Sequence, residues 1–207
     1  MNALDNFIDI SLREFNHYAA SIDRTHIQKA AQLIIAAAKQ GRRLHVTGVG
    51  KPAHIAGYAA SLFSSIGLPT YFLHGTEAVH GSCGQLMKGD LVICISNSGE
   101  TAEMKATAMA VRNNGCPIIA ITGNPGSWLG RNSDLCLSAQ VQHEGGSLNR
   151  APRASILAET YIIQCLSVAL QEHTDLTPQK YVQFHPGGTL GELRTEEIRA
   201  FVEQSIR

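Results

Sequence analysis

Ser96-Asn97-Ser98-Gly99-Glu100-Thr101 places three hydroxyls and a glycine between two very different stretches of chain. Before it runs Leu91–Ile95, apolar and rich in β-branched side chains. After it, Glu100–Arg112 is rich in Ala, Met, Glu and Lys. The order is strand, hydroxyl-rich turn, helix. A helix start presents free N–H groups and the positive end of a dipole, which attract phosphate. Ser96, Ser98 and Thr101 add hydroxyl donors there, and Gly99 lets the backbone approach an anion. Phosphate binding is the chemistry expected of this turn. The competing reading is a hydroxyl-capped turn that holds no ligand.

Other residue groups could join it. Thr47-Gly48-Val49-Gly50-Lys51 opens another helix after a strand and can turn glycine backbone and a lysine toward an anion. It lacks the G-x-x-x-x-G-K-[ST] pattern of a P-loop, and Ala53 breaks G-x-G-x-x-G. A tight turn with a solvated Lys51 is the plain alternative. Glu77 and His80 stand three residues apart and can share one face of a short helix. Two such groups alone make a poor zinc site, so no metal is expected there. Glu144 precedes Gly145 and Gly146 in a loop after the last expected strand. His185 sits in Tyr181–Gly191, read as a second unusual loop because of Pro186, Gly187 and Gly188.

The elements that must carry these residues read as alternating strand and helix. Strands are expected at 44–47, 70–73, 91–96, 118–122 and 135–137. Helices are expected at 52–66, near 77–81, at 102–113 and at 127–132, with a long apolar helix at 154–171. Short apolar strands alternating with helices make a doubly wound parallel sheet. The fold class is therefore α/β, a five-stranded parallel sheet flanked by helices in three layers. Residues 3–40 add two helices. Leu4, Phe7, Ile8, Leu12 and Phe15 give the first an apolar face, for the sheet or for a partner subunit. Asp23 or Thr25 would cap the second.

Composition narrows the possibilities. The chain has 207 residues, enough for one domain with extensions. Its 17 Lys and Arg balance 17 Asp and Glu, which argues against broad nucleic-acid binding. No apolar run is expected to reach membrane-span length, and no signal peptide is visible, so no membrane partner is expected. Five cysteines without CxxC spacing point to buried thiols in a reducing cytoplasm, Cys94, Cys116 and Cys136 lying in apolar runs.

The Ser96–Thr101 segment resembles the phosphosugar signature of the SIS (sugar isomerase) domain. Gly48-Val-Gly-Lys51, Glu77-Ala-Val-His80-Gly81, Ser96–Thr101 and His185-Pro-Gly-Gly188 together resemble arabinose-5-phosphate isomerases, from about Leu44 to Gly191. The resemblance implies a flavodoxin-like SIS fold as a single domain over 1–207, with N-terminal helices at 1–41, a phosphosugar-binding core at 42–191 and a C-terminal helix at 192–207. It implies Lys51, Glu103, Glu144 and His185 as catalytic residues. Gly50, His80, Ser96, Asn97, Ser98 and Thr101 would bind the substrate and its phosphate. It implies no organic cofactor or metal, and a homotetramer. Members often carry a C-terminal pair of CBS domains, absent from the sequence to Arg207, so the likeness is to the shorter members. The chain also departs at Ala151-Pro152-Arg153-Ala154-Ser155-Ile156, where the family has a run rich in Thr and Ser. Arg153 is expected to change what that edge of the site recognises.

The expected activity is aldose–ketose isomerisation of a sugar phosphate, D-arabinose 5-phosphate to D-ribulose 5-phosphate, by enediolate proton transfer. The alternatives are isomerisation of another sugar phosphate and a non-catalytic sugar-phosphate sensor. No helix-turn-helix segment accompanies the sensor reading.

Overall fold

The computed structural model describes residues 2–199. Five parallel strands form one sheet: β1 (Leu44–Gly48), β2 (Thr70–His74), β3 (Leu91–Ile95), β4 (Ile118–Thr122) and β5 (Leu135–Ser138), in the order β2-β1-β3-β4-β5. Every residue of β1, β3 and β4 is buried, as strands covered on both faces must be; β3 is wholly apolar, whereas β1 also buries His45 and Thr47 and β4 ends in the buried Thr122. The chain leaves β1 toward one edge and returns to build from β3 toward the other. That reversal opens a crevice at the carboxyl ends of β1 and β3.

One face of the sheet is covered by α1 (Ala3–Ser21), α2 (Arg24–Lys39), α3 (Lys51–Ser65) and α6 (Ala154–Gln171). The other is covered by α4 (Ala102–Asn113), α5 (Trp128–Arg131) and 3-10 turns at Glu77–His80 and Ser82–Gln85. Asp23 caps α2, accepting the His26 N–H at 3.0 Å. In α1 the apolar stripe divides. Phe7 and Phe15 turn partly inward, with Phe15 edge-on to Tyr161 at 5.0 Å, while Leu4, Ile8 and Leu12 remain exposed.

Asp90 ties the strands together at the opposite end from the crevice. Its carboxylate accepts the Arg43 N–H (2.9 Å), the Met87 N–H (2.9 Å) and the Arg43 guanidinium, with the buried His45 ring at 3.2 Å.

Three expectations need correction. One helix among the described residues, Ala154–Gln171, is long and apolar enough to cross a membrane, with 18 residues at mean hydropathy 1.3. Its apolarity follows from its place: α1, α2 and α3 pack around it, so most of its circumference must be apolar. The expected Tyr181–Gly191 loop begins as helix, since α7 spans Pro178–Phe184. Thr177 caps it through the Lys180 N–H (3.2 Å), and Pro178 stands in its first turn, where its missing N–H costs nothing. Finally, Cys136 is only half-buried, whereas Cys94 and Cys116 are buried. Of the expected C-terminal helix, residues 195–199 are helical and 200–207 lie outside the described residues.

Candidate active site

The Ser96–Thr101 turn leaves β3 at the crevice and is held from within. The Ser96 hydroxyl is buried and accepts the Gly99 N–H at 3.2 Å. The Ser98 hydroxyl accepts the Glu100 N–H at 3.2 Å. Each keeps its own O–H proton free to donate. Gly99 has φ +64°, and a Cβ there would lie 1.9 Å from the Ser127 hydroxyl, so only glycine fits. The Asn97 carbonyl accepts from Gly123 N (2.9 Å) and the Thr122 hydroxyl (3.1 Å), which ties the turn to the end of β4. Thr101 stands at the start of α4 without a side-chain cap bond, so the first N–H groups of that helix have no protein side chain on them.

Glu100 belongs to the signature but not to the expected contacts, and its place is structural. One oxygen accepts the Trp128 N–H at the start of α5 (2.7 Å) and the other pairs with Lys105 (2.5 Å). Lys105, then the Trp128 N–H, hold its carboxyl below the usual glutamate range. Its signal was its position at the end of a hydroxyl turn, where an acid complements a helix dipole.

The neighbouring strand brings Gly50 and Lys51 to the same end. Gly50 takes φ +69° to start α3, and Lys51 is its exposed first residue. A Cβ on Gly48 would lie 2.6 Å from the Pro52 carbonyl, so glycine lets α3 start directly on the strand end. Beyond β2, the Glu77–His80 turn packs against α4, and the Thr107 hydroxyl donates to the Gly75 carbonyl across that contact. Glu77 and His80 are both exposed, on one face of the 3-10 turn. Glu103, in the first turn of α4, is exposed and makes no hydrogen bond among the described residues.

Glu144 lies in the segment between β5 and α6, at the same end of the sheet. Its Oε2 accepts the N–H groups of Arg153 (2.6 Å) and Ser155 (3.1 Å), closing the start of α6. Its own N–H donates to the Asn149 side chain at 2.6 Å. Arg153 orders the same segment: its guanidinium lies 5.8 Å over the Phe7 ring and packs against Gly146.

His185 is the one expected residue that is not brought to this end. Its Nδ1 lies 2.8 Å from the Tyr181 carbonyl and its ring stacks on Tyr181 at 4.0 Å. The adjacent Phe184 ring packs on Gly67, just past the far end of α3. With 15 residues in α3, that end is about 22 Å from Lys51. A cavity of about 530 Å³ is lined by His17, Tyr18, His26, Pro125 and Cys136, but by none of the expected site residues.

The family description of the SIS domain matches residues 38–169. The chain belongs to the SIS domain family. It is 35% identical over 200 residues to the arabinose 5-phosphate isomerase KdsD of Francisella tularensis, covering 95% of this chain and 61% of that one. It is 38% identical over 156 residues to KdsD of Escherichia coli K12, covering 74% of this chain and 48% of that one. The SIS chain thus spans about half to three fifths of these curated relatives. Among solved structures, it is similar to the E. coli CFT073 c3406 protein in complex with arabinose 5-phosphate: TM-score 0.79, 33% identity, 88% of this chain and 95% of that one. A Listeria monocytogenes protein at 24% identity, with TM-score 0.82 over 89% of this chain and 95% of that one, shares the fold.

Proposed function

We propose that this SIS domain is an aldose–ketose isomerase of a sugar phosphate, interconverting D-arabinose 5-phosphate and D-ribulose 5-phosphate. One observation carries the reading. The lysine-bearing turn after β1 and the hydroxyl-rich turn after β3 meet at the crevice where the sheet reverses direction. The similarity to c3406, whose structure contains arabinose 5-phosphate, and to relatives named arabinose 5-phosphate isomerase supports the substrate.

In this reading the phosphate is bound by the hydroxyls of Ser96, Ser98 and Thr101 and the first N–H groups of α4. Asn97 and Gly50 shape the cradle, and His80 reaches the sugar from the β2 side. His185 transfers the proton that opens the ring. Glu144 takes the proton from C2 of the open aldose and returns it to C1, with Glu103 as the second candidate. Lys51 stabilises the enediolate oxygen that forms between the two steps.

The His185 that completes a site belongs to a second copy of the chain, because its own Lys51 is on the far side of the domain. The exposed Leu4, Ile8 and Leu12 on α1 offer an apolar face for such a copy, and the assembly is read as a homotetramer. Arg153 spends its guanidinium on Phe7, which favours the arabinose 5-phosphate reading over altered selection. Five free cysteines fit a cytoplasmic protein.

The purified protein, assayed against a panel of pentose, hexose and heptose phosphates, tests the reading. Faster turnover of arabinose 5-phosphate than of any other is expected. Preference for another sugar phosphate overturns the substrate, and turnover of none overturns the activity.

A further inference from the structure

Glu159, in the second turn of α6, is a carboxyl group that the proposed reaction does not use. It is fully buried, at 0% exposure, and neither oxygen has a hydrogen-bond partner. Ser155 lies one turn earlier on the same face, four residues back. The Ser155 N–H holds Glu144 Oε2, and the Ser155 hydroxyl is likewise buried without a partner.

The groups facing Glu159 do not compensate a charge. Tyr18 of α1 and Glu144 of the preceding loop both interact with it electrostatically, and both are anionic when ionised. Tyr161 and Cys165 of α6 lie near Tyr18 and are no more helpful. From α2 and α3 this core receives apolar side chains such as Ile34 and Phe63. Arg153 turns its guanidinium to Phe7. Among the described residues no lysine, arginine or histidine pairs with Glu159. Burial first, and the Glu144 charge second, push its carboxyl up to about 8. A negative charge on Glu144 opposes ionisation of Glu159.

We propose that Glu159 is a positioning residue for Glu144: as a buried neutral acid it leaves Glu144 the only carboxylate at the start of α6, and on losing its proton to solvent it drives Glu144 out of that cap and stops proton transfer. The proposal rests on reading Glu144 as the proton carrier. It predicts an alkaline limb in kcat that belongs to Glu159.

The test compares wild type with Glu159→Gln and Glu159→Met, each fixed neutral, the first nearly isosteric. For each protein the readout is kcat at about pH 9.5 relative to about pH 7, with KM followed alongside. In wild type the ratio should fall about tenfold or more with KM little changed, and in both variants it should stay within about twofold of one. A purely structural role would move the unfolding temperature and leave these ratios alike. A limb that persists in both variants, or is absent from wild type, overturns the proposal. Carbon-13 titration of the glutamate carboxyls reads the same pair without turnover. One carboxyl should titrate near pH 8, vanish in Glu159→Gln and shift downward in Glu144→Gln. If wild type isomerises no sugar phosphate, the functional reading fails by itself. The catalytic part of the proposal falls with it, and a carboxyl that titrates above about pH 6.5 and vanishes in Glu159→Gln would keep only the buried acid beside Glu144. In an active enzyme the absence of that carboxyl overturns the proposal alone.

Discussion

Glu144 accepts the backbone N–H of Ser155 at 3.1 Å, so the proposed proton carrier also closes the start of a core helix. One oxygen is fixed by two N–H groups, and Oε1 is left to meet a substrate. A base held this way stays in register with the domain instead of moving with a surface loop.

Glu144→Gln preserves an oxygen that can accept the same N–H groups. The fold should survive with a loss of about 1 kcal/mol or less. Turnover should drop about 10² to 10⁴-fold, the usual contribution of a positioned general base. Exchange of the substrate C–H hydrogen with deuterated solvent checks the step. If this variant exchanges at the wild-type rate while Glu103→Gln does not, the two glutamates trade roles.

Ser98→Ala removes a hydroxyl that supports the Glu100 N–H and is free to donate outward. Sugar-phosphate affinity should weaken by about 1 to 3 kcal/mol, the range of a hydrogen bond to a charged group. Titration calorimetry measures it, and unchanged affinity would remove Ser98 from the phosphate site.

His185→Ala and Lys51→Ala should each be inactive alone. Mixed oligomers of the two should recover activity, because some sites then combine an intact Lys51 from one copy with an intact His185 from another. The expectation comes from the contact of Phe184 with Gly67, at the opposite end of α3 from Lys51. Failure of co-expressed chains to complement would place both residues in one subunit's site or remove one from catalysis.

The raised proton affinity of Glu159 has a stability consequence whose sign is fixed. The unfolded chain releases this proton near pH 4.5, and the folded chain holds it to about pH 8. Stability from this group is therefore fully present below pH 4.5 and is lost as pH rises toward 8. At pH 7 the loss is on the order of 3 kcal/mol. Glu159→Gln should thus be more stable than wild type by a margin that grows across this window and then levels off. Denaturant melts at several pH values measure the margin, and a constant difference would refute it.

The sheet was readable because β3 and most of β4 are apolar runs between turn residues, a pattern that burial on both faces leaves in the chain, and because β1, despite His45 and Thr47, ends at a glycine turn that opens a helix. The crevice was readable for a related reason: glycines and hydroxyls cluster where strands end. Helix α7 was also written in the sequence, as Thr177-Pro178 before a helical stretch, but the glycines and proline after His185 outweighed that signal. Other features have no local trace. Glu144 finds its partners nine and eleven residues away across an irregular segment. Glu159 looks like the polar side of a helix until three other helices enclose it. His185 shares a motif with the site in sequence order, yet its position depends on where α6 and α7 carry the chain.

Glu100 joins the first turn of α4 to the start of α5, and Gly99 packs its backbone on Ser127 in the same contact. The proposed anion cradle is thus assembled during folding, and a phosphate group arriving there would have little loop to organise. Its capture rate would follow diffusional encounter rather than a slower rearrangement, so selectivity among sugar phosphates must come from how long each one stays.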